Sequence, residues 1–223
     1  MKIINHDIDR EKRCGVPEII YGEGKTEADL SVVVKEFLSS SGRAIITRVD
    51  EEKAKRIIEA TNKKKYIINH NRKGRVLVIK KKERKTKNIG AVGILCAGTS
   101  DTKIAEEARA IAEELGCKVL CEYDVGIAGI HRVFPAIKRL RKARVYIVAA
   151  GMEGALPSVV AGLVKAPVIA VPTSVGYGTS EKGKTALNTM LNSCTPLAVV
   201  NIDNGYGAAI IAYKILSTQK TKK

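Results

Sequence analysis

The sequence has no tryptophan, and aromatic residues make up only 4% of its 223 residues. Proteins that bind nucleic acid by base stacking interleave aromatic with basic side chains, and no such interleaving occurs here. The formal charge of +16 nevertheless attracts anions in general. We therefore expect an anionic small molecule, and not nucleic acid, as the partner of this chain.

Cysteines are few, odd in number and never arranged as a CxxC pair, which argues against a disulfide framework or a zinc site. The five cysteines are Cys14, Cys96, Cys117, Cys121 and Cys194. An acidic residue, Asp7, comes too early for the apolar region of a signal peptide. We expect a soluble cytoplasmic protein in which most cysteines are small buried residues.

Long apolar runs without proline are also missing. Residues 154–176 contain one charge, Lys165, but Pro157, Pro167 and Pro172 interrupt them. No continuous helix could cross a bilayer through these prolines. A buried helix followed by a buried strand fits the segment better, and we expect no membrane partner.

A charged run at residues 80–87 has almost no apolar content and predicts a domain boundary. Residues 1–88 contain 23 basic and 13 acidic residues, whereas residues 89–223 contain 16 and 10. We predict a small amino-terminal α+β domain at residues 1–87, with the charged run as its linker, and a catalytic domain at residues 88–223.

Two helices of the first domain are predicted by their N-caps, Thr26 and Asp50, and by acidic first turns. The first should end at Gly42 and the second near Asn62. Predicted strands of this domain cover residues 44–49, 66–69 and 76–79.

Strands and helices alternate through the second domain, which predicts a doubly wound α/β fold around a parallel sheet. The predicted strands are 89–97, 118–123, 144–150, 167–172 and 198–202, and the predicted helices are roughly 101–115, 130–142, 155–164, 182–192 and 206–217. Ligands of such folds bind beyond the carboxyl ends of the strands. Candidate residues are therefore those that directly follow each strand.

The loops after the first two strands contain groups that can bind phosphate. Gly98, Ser100 and Asp101 form either a phosphate- or ribose-binding loop or a plain helix cap. His131 and Arg132 follow a glycine-rich loop, where they either bind phosphate and transfer a proton or form an exposed polar pair.

Carboxylates follow the third and fifth strands. Glu153 stands in an apolar stretch, so we expect burial to raise its pKa and suit it to acid–base catalysis. Asp203 either caps the last helix or helps to hold a metal-bound phosphate, and the cap is the favoured interpretation. Residues 172–179, polar and rich in glycine, either close over a substrate or form a surface loop.

These segments resemble the PurE family of aminoimidazole ribonucleotide carboxylases in residues 96–101, the His131–Arg132 turn, residues 151–157 and residues 168–172. The departures match the LarB family of nickel-pincer nucleotide biosynthesis; they are Val133-Phe134 after the His–Arg pair, residues 151–154 (GMEG), the extra amino-terminal unit and Cys194. That resemblance covers nearly the whole chain, including residues 13–18 (RCGVPE), 21–26 (YGEGKT), 173–178 (TSVGYG) and 200–207 (VNIDNGYG).

The LarB resemblance implies an enzyme that carboxylates the pyridinium ring of nicotinate adenine dinucleotide with carbon dioxide and cleaves its phosphoanhydride to release AMP. By resemblance, Cys194 is the nucleophile, Glu153 is the candidate base and His131 also belongs to the catalytic group. The implied substrate-binding residues are Gly98, Ser100, Asp101, Arg132, Gly151, Thr173, Ser174 and Asp203. The resemblance also implies magnesium, no organic cofactor, and a homo-oligomer such as the octamers of related folds.

Two alternatives from the residues stay open. One is a carboxylase or mutase that acts on aminoimidazole ribonucleotide, which needs no thiol. The other is a nucleotide-binding protein without catalytic activity, because the fold alone does not fix the function.

Overall fold

A computed structural model describes residue 7, residues 9–84 and residues 87–218, and it divides the chain into two compact units, Met1–Thr86 and Lys87–Lys223. The elements of the first unit are α1 (Arg10–Cys14), β1 (Ile20–Tyr21), α2 (Glu27–Ser40), β2 (Arg43–Thr47), α3 (Glu51–Ala60), β3 (Tyr66–Asn71) and β4 (Val76–Lys81). Its sheet has the order β1-β2-β4-β3, in which only the β1–β2 pair is parallel.

Both predicted N-caps of the first unit are confirmed. The Thr26 hydroxyl accepts a hydrogen bond from the Asp29 amide at 3.1 Å, and the Asp50 carboxylate accepts one from the Lys53 amide at 2.9 Å. The apolar face of α2 packs on the sheet through buried residues such as Leu30 and Val34. These caps satisfy amides that would otherwise lack partners at the start of each helix.

The charged run at residues 80–87 was predicted to be exposed throughout, and that prediction is wrong at its start. Lys80 and Lys81 belong to β4 and are half-buried, because they pair with Ile67 and Tyr66 of the neighbouring strand β3. Residues 85 and 86 of the run lie outside the described residues, as does the segment before residue 9, apart from Asp7. In the described part of the chain, no helix combines the length and apolar character needed to cross a membrane.

The second unit is the predicted doubly wound α/β fold. Its elements are β5 (Gly90–Cys96), α4 (Thr102–Glu114), β6 (Cys117–Glu122), α5 (Val133–Arg139), β7 (Val145–Ala150), α6 (Leu156–Leu163), β8 (Val168–Pro172), α7 (Lys184–Leu191), β9 (Ala198–Val199) and α8 (Gly205–Thr218). All five strands are parallel, in the order β6-β5-β7-β8-β9. The order reverses between β5 and β7, where ligands of such folds bind.

Helices cover both faces of this sheet, as its nearly continuous apolar strands require. One face of β7, including Tyr146 and Val148, packs with residues of α5, α6 and α7. Helices α4 and α8 pack together on the sheet and contact the same strand. Helix α5 begins at Val133, later than predicted, because residues 127–132 form a 3₁₀ segment that Gly129 interrupts.

Candidate active site

A buried carboxylate, Asp101, connects two loops at the carboxyl ends of the sheet. Its side chain is 3% exposed, and its Oδ2 accepts a hydrogen bond from the Gly98 amide at 2.8 Å. Its Oδ1 accepts a second one, at 2.5 Å, from the hydroxyl of the fully buried Thr173. The loop after β5 and the loop after β8 are thereby joined across the intervening strand β7.

Burial raises the pKa of Asp101 because a charged carboxylate loses hydration there, and the nearby charge of Asp203 raises it further. Hydrogen bonds from Thr173 and from the amides of Gly98 and Gly151 act in the opposite direction. A carboxyl group with a raised pKa beside a strand-end crevice is a candidate for holding or transferring a proton. This property was not predicted from the sequence, which marked Asp101 only as a binding residue or cap.

Gly151 allows the third loop to approach the fourth. A Cβ atom on Gly151 would lie 2.4 Å from the Val175 carbonyl oxygen and 2.7 Å from the Thr173 hydroxyl oxygen. The Met152 amide donates a hydrogen bond of 2.8 Å to that same Val175 carbonyl. Only glycine fits this contact, so the absence of a side chain at residue 151 keeps Thr173 in position beside Asp101.

Glu153 is exposed, and the predicted burial of its carboxylate is wrong. Met152 has a φ of 51° and Gly154 a φ of 69°, and the Gly154 amide donates to the Gly151 carbonyl at 2.8 Å. This tight turn places Met152 and Glu153 on its exposed side although the residues that follow are apolar. Because Glu153 is exposed, burial of its carboxylate gives no evidence for a catalytic role. Its assignment as a base rests on the family resemblance.

The second loop positions Arg132 close to the first. The Arg132 Nη1 donates to the Asp124 carbonyl at 2.7 Å and pairs with the Asp124 carboxylate at 3.1 Å. A Cβ atom on Gly126 would lie 3.0 Å from the Ala97 carbonyl oxygen and 3.7 Å from the Arg132 Nη2. The guanidinium thus lies where the first and second loops meet, while His131 is exposed.

Asp203 links the fourth and fifth loops. Its Oδ1 accepts a hydrogen bond from the Ser174 amide at 2.8 Å, and its own amide donates to the Pro172 carbonyl at 2.8 Å. The cap predicted for Asp203 falls one residue later, because the Asn204 Oδ1 accepts from the Gly207 amide in the first turn of α8. The side chain of Ser174 is exposed, as is that of Ser100 in the first loop.

Cys194 is exposed but lies apart from these loops within one chain. It precedes β9, in which Ala198 pairs with Ile169 near the start of β8, whereas the other candidates follow strands. Its neighbour Thr195 donates to the Ser158 carbonyl and lies 3.8 Å from the Cβ position of Gly162, near the end of α6. In a parallel sheet, segments before and after strands lie at opposite ends of the sheet, so the structure does not bring Cys194 to the Asp101 group.

The described residues contain no group of three or more His, Cys, Asp or Glu side chains arranged to hold a metal ion. Both Asp101 oxygens already accept hydrogen bonds, and one Asp203 oxygen accepts from Ser174. Magnesium commonly binds through one or two carboxylates together with substrate phosphates. These residues therefore do not form a dedicated magnesium site.

Asp124 is a candidate residue that the sequence analysis missed. It lies two residues after the end of β6 and has a φ of 57°, a conformation that aspartate adopts more often than most other non-glycine residues. Its carbonyl and carboxylate both bind Arg132. The position of an acid just after a predicted strand is the sequence signal that points to this residue.

Comparison with known families identifies both parts of the chain. Residues 91–223 match the AIR carboxylase family, and residues 1–82 match the LarB/PurE-like N-terminal domain. An uncharacterized protein of Methanocaldococcus jannaschii is 50% identical over 210 residues, covering 92% of this chain and 81% of its own length.

Other relatives cover a little more than half of the chain. The N5-carboxyaminoimidazole ribonucleotide mutase of Methanocaldococcus jannaschii is 37% identical over 132 residues, covering 56% of this chain and 77% of its own length. The crystal structure of Treponema denticola PurE has a TM-score of 0.44 and 21% identity, covering 59% of this chain and 92% of that structure. The chain therefore belongs to the AIR carboxylase family and, as its LarB resemblance predicted, begins with a LarB/PurE-like N-terminal domain.

Proposed function

We propose that this protein carboxylates the pyridinium ring of nicotinate adenine dinucleotide with carbon dioxide and hydrolyses its phosphoanhydride, which releases AMP and a biscarboxylated pyridinium mononucleotide. The observation that carries the proposal is the union of a LarB/PurE-like N-terminal domain with an AIR carboxylase domain in one chain. An exposed thiol, Cys194, supports it, since a purine-type carboxylase needs no nucleophile of this kind.

The thiol solves a chemical difficulty of the proposed substrate. A pyridinium ring is electron-poor and does not attack carbon dioxide. When the Cys194 thiolate forms a carbon–sulfur bond to the ring, an electron pair moves into the ring, which becomes an enamine-like nucleophile. The open meta carbon then forms a bond to carbon dioxide, whose π electrons become the new carboxylate.

A base must then remove the proton from the carbon that carries the new carboxylate. The electrons of that carbon–hydrogen bond restore the aromatic ring as the carbon–sulfur bond breaks and the thiolate leaves. Glu153 is the proposed base, and its exposed position leaves it open to a bound substrate. His131, also exposed, is a second group proposed to transfer a proton.

The loops around Asp101 suit a dinucleotide with ribose and phosphate groups. Arg132 offers a guanidinium for a phosphate, and Ser100 and Ser174 offer exposed hydroxyls. Asp101 and Asp203 arrange the backbone of their loops through the amides of Gly98 and Ser174. Gly151 and Thr173 hold the third and fourth loops together. Magnesium is proposed to enter with the pyrophosphate of the substrate, whose charge it shields.

The position of Cys194 implies that the proposed site takes residues from two copies of the chain. Cys194 precedes a strand, whereas Glu153, Arg132 and Asp101 follow strands.

Large apolar side chains are exposed at both ends of the sheet. Phe134 and Tyr177, after the strands, are 54% and 81% exposed, and Leu191, near Cys194, is 62% exposed. Packing of these side chains against another copy would remove their apolar surface from water, which favours association. We propose a homo-oligomer in which one copy supplies Cys194 to the loops of the next.

The alternative is a carboxylase or mutase that acts on aminoimidazole ribonucleotide. Relatives named N5-carboxyaminoimidazole ribonucleotide mutase favour it, because two of them are 37% and 32% identical to this chain over 132 and 136 residues. Their matches cover 56% of this chain, and their reaction gives no role to Cys194.

The deciding experiment is incubation of the purified protein with nicotinate adenine dinucleotide, bicarbonate and magnesium, followed by mass spectrometry. We expect two products. One is AMP, and the other is a pyridinium mononucleotide that carries one carboxyl group more than the mononucleotide half of the substrate. Cys194→Ser should abolish addition of the carboxyl group, with Cys14→Ser as the matched control at another exposed cysteine. Unchanged dinucleotide, with turnover of aminoimidazole ribonucleotide in a parallel reaction, would replace this proposal with the purine alternative.

A further inference from the structure

The first unit contains a cavity that the proposed reaction does not use. It has a volume of about 460 Å³, which lies in the range of small-molecule sites. It opens between α2 and the end of α3, beside the ends of β3 and β4. Its lining residues are Ser31, Val34, Lys35, Leu38, Ser39, Ile57, Ala60, Thr61, Asn62, Lys65, Tyr66 and Lys81.

The inner wall of this cavity is apolar and suits a flat ring. Val34, Leu38 and Ile57 are almost fully buried in the core of the unit, yet they line the cavity. The half-buried Tyr66 ring adds an aromatic surface, and the Lys65 ammonium lies 5.6 Å from the centre of that ring. A heterocyclic ring can bury apolar surface against this wall.

The charged groups of the lining are all positive. Lys35, Lys65 and Lys81 line the cavity, and no aspartate or glutamate is among the lining residues. An anion entering the cavity would therefore meet three ammonium groups without a competing carboxylate. Phosphate is the group that such lysines bind most readily.

Two of the polar groups in the lining, the hydroxyls of Ser39 and Thr61, favour a ligand that donates hydrogen bonds. The Ser39 hydroxyl donates to the Glu36 carbonyl at 2.8 Å, and the Thr61 hydroxyl donates to the Ile57 carbonyl at 2.6 Å. Their protons are thus engaged within their own helices, and their oxygens act as acceptors toward the cavity. A fatty acid has an apolar chain that cannot donate to them, whereas an exocyclic amine or a ribose hydroxyl can.

From this combination we propose that the amino-terminal unit binds an adenine mononucleotide in the cavity between α2 and α3. The base lies against Val34, Leu38 and Tyr66, and the phosphate contacts the lysines. This inference is independent of the proposed carboxylation, because the site lies wholly within residues 31–81.

The test is isothermal titration of the full chain with AMP, adenosine and inorganic phosphate. We expect AMP to bind at least about tenfold more tightly than adenosine, because a charge-assisted hydrogen bond is worth about 1.5–3 kcal/mol. Lys35→Ala should weaken AMP binding at this site about tenfold. Lys55→Ala, at an exposed position of α3 outside the lining, should leave it unchanged.

A second variant fills the cavity without altering the core. Ala60 is exposed at the end of α3 and lines the cavity, so Ala60→Trp should remove one AMP site per chain while the unfolding midpoint stays near that of the Lys55→Trp control. AMP binding that survives both Lys35→Ala and Ala60→Trp with unchanged stoichiometry would overturn the inference. Binding of inorganic phosphate as tight as that of AMP would also overturn it, since it would show an anion patch only. If the wild-type protein does not convert nicotinate adenine dinucleotide, that result contradicts the proposed reaction alone and leaves the AMP site untouched.

Discussion

The hydroxyl of Thr173 donates a hydrogen bond of 2.5 Å to the carboxylate of Asp101, which lies 72 residues earlier in the chain. Both side chains are buried, so neither can exchange this partner for water. Thr173→Val keeps the shape of the side chain but leaves Asp101 with one donor fewer, and we expect a loss of about 1–3 kcal/mol in the free energy of unfolding. Thr173→Ser, which keeps a hydroxyl, is the matched control. Equal urea midpoints for the valine and serine variants would show that the bond contributes nothing to stability.

Asp101 should also make stability depend on pH. Burial raises its pKa above the ordinary value of 3.8, so the folded protein binds more protons than the unfolded chain between that value and the raised one. Wild-type stability should therefore decrease as the pH rises through this window. Asp101→Asn cannot titrate, and its stability relative to wild type should improve over the same interval. Urea unfolding at several pH values from about 4 to about 7 measures this difference, and a difference that is constant with pH would contradict it.

Gly151 is expected to be irreplaceable for steric reasons. In Gly151→Ala, the new methyl group would lie 2.4 Å from the Val175 carbonyl oxygen, so the fourth loop must move and take Thr173 with it. We expect a loss of more than about 1 kcal/mol in unfolding free energy. Gly98→Ala is the control, because its nearest contact would be an ordinary 3.5 Å to the Asp101 carboxylate. If the two alanine variants unfold at the same denaturant concentration, the packing argument is wrong.

The sequence predicted the framework of the molecule better than its site. The alternation of apolar strands with capped helices predicted the parallel sheet, because burial on both faces imposes that pattern on local sequence. The N-caps Thr26 and Asp50 were predictable for the same reason, since a cap bonds to an amide three residues away. Local sequence contains the information for such contacts.

The site depends on contacts between distant segments, which local sequence does not contain. Nothing near Thr173 indicates that its hydroxyl faces Asp101. The apolar neighbours of Glu153 predict burial of its side chain. In the structure, the positive φ of Met152 belongs to a tight turn in which Glu153 is exposed. Cys194 was identified by resemblance alone, and the parallel pairing of β9, which Cys194 precedes, places it at the opposite end of the sheet from Asp101.

The exposure of the cysteines predicts which thiols react in the folded protein. Cys14 and Cys194 are exposed, whereas Cys96 and Cys117 are buried, and burial raises the pKa of Cys117 to about 12. Alkylation requires an accessible thiolate, so iodoacetamide should label Cys14 and Cys194 first, and Cys96 and Cys117 only after unfolding. Peptide mass spectrometry identifies the labelled sites. Under the proposed function, nicotinate adenine dinucleotide should slow labelling of Cys194 but not of Cys14, and equal protection of both would argue against a substrate site at Cys194.

The placement of Cys194 and Glu153 at opposite ends of the strands predicts that inactive variants complement each other. A Cys194→Ser chain keeps Glu153, and a Glu153→Gln chain keeps Cys194. If each site combines these residues from two copies, dissociating and reassembling an equal mixture should recover about a quarter of wild-type turnover, because random pairing unites two intact residues at that frequency. Each variant reassembled alone is the control and should remain inactive. A mixture as inactive as its components would place both residues in one chain and would contradict the shared site.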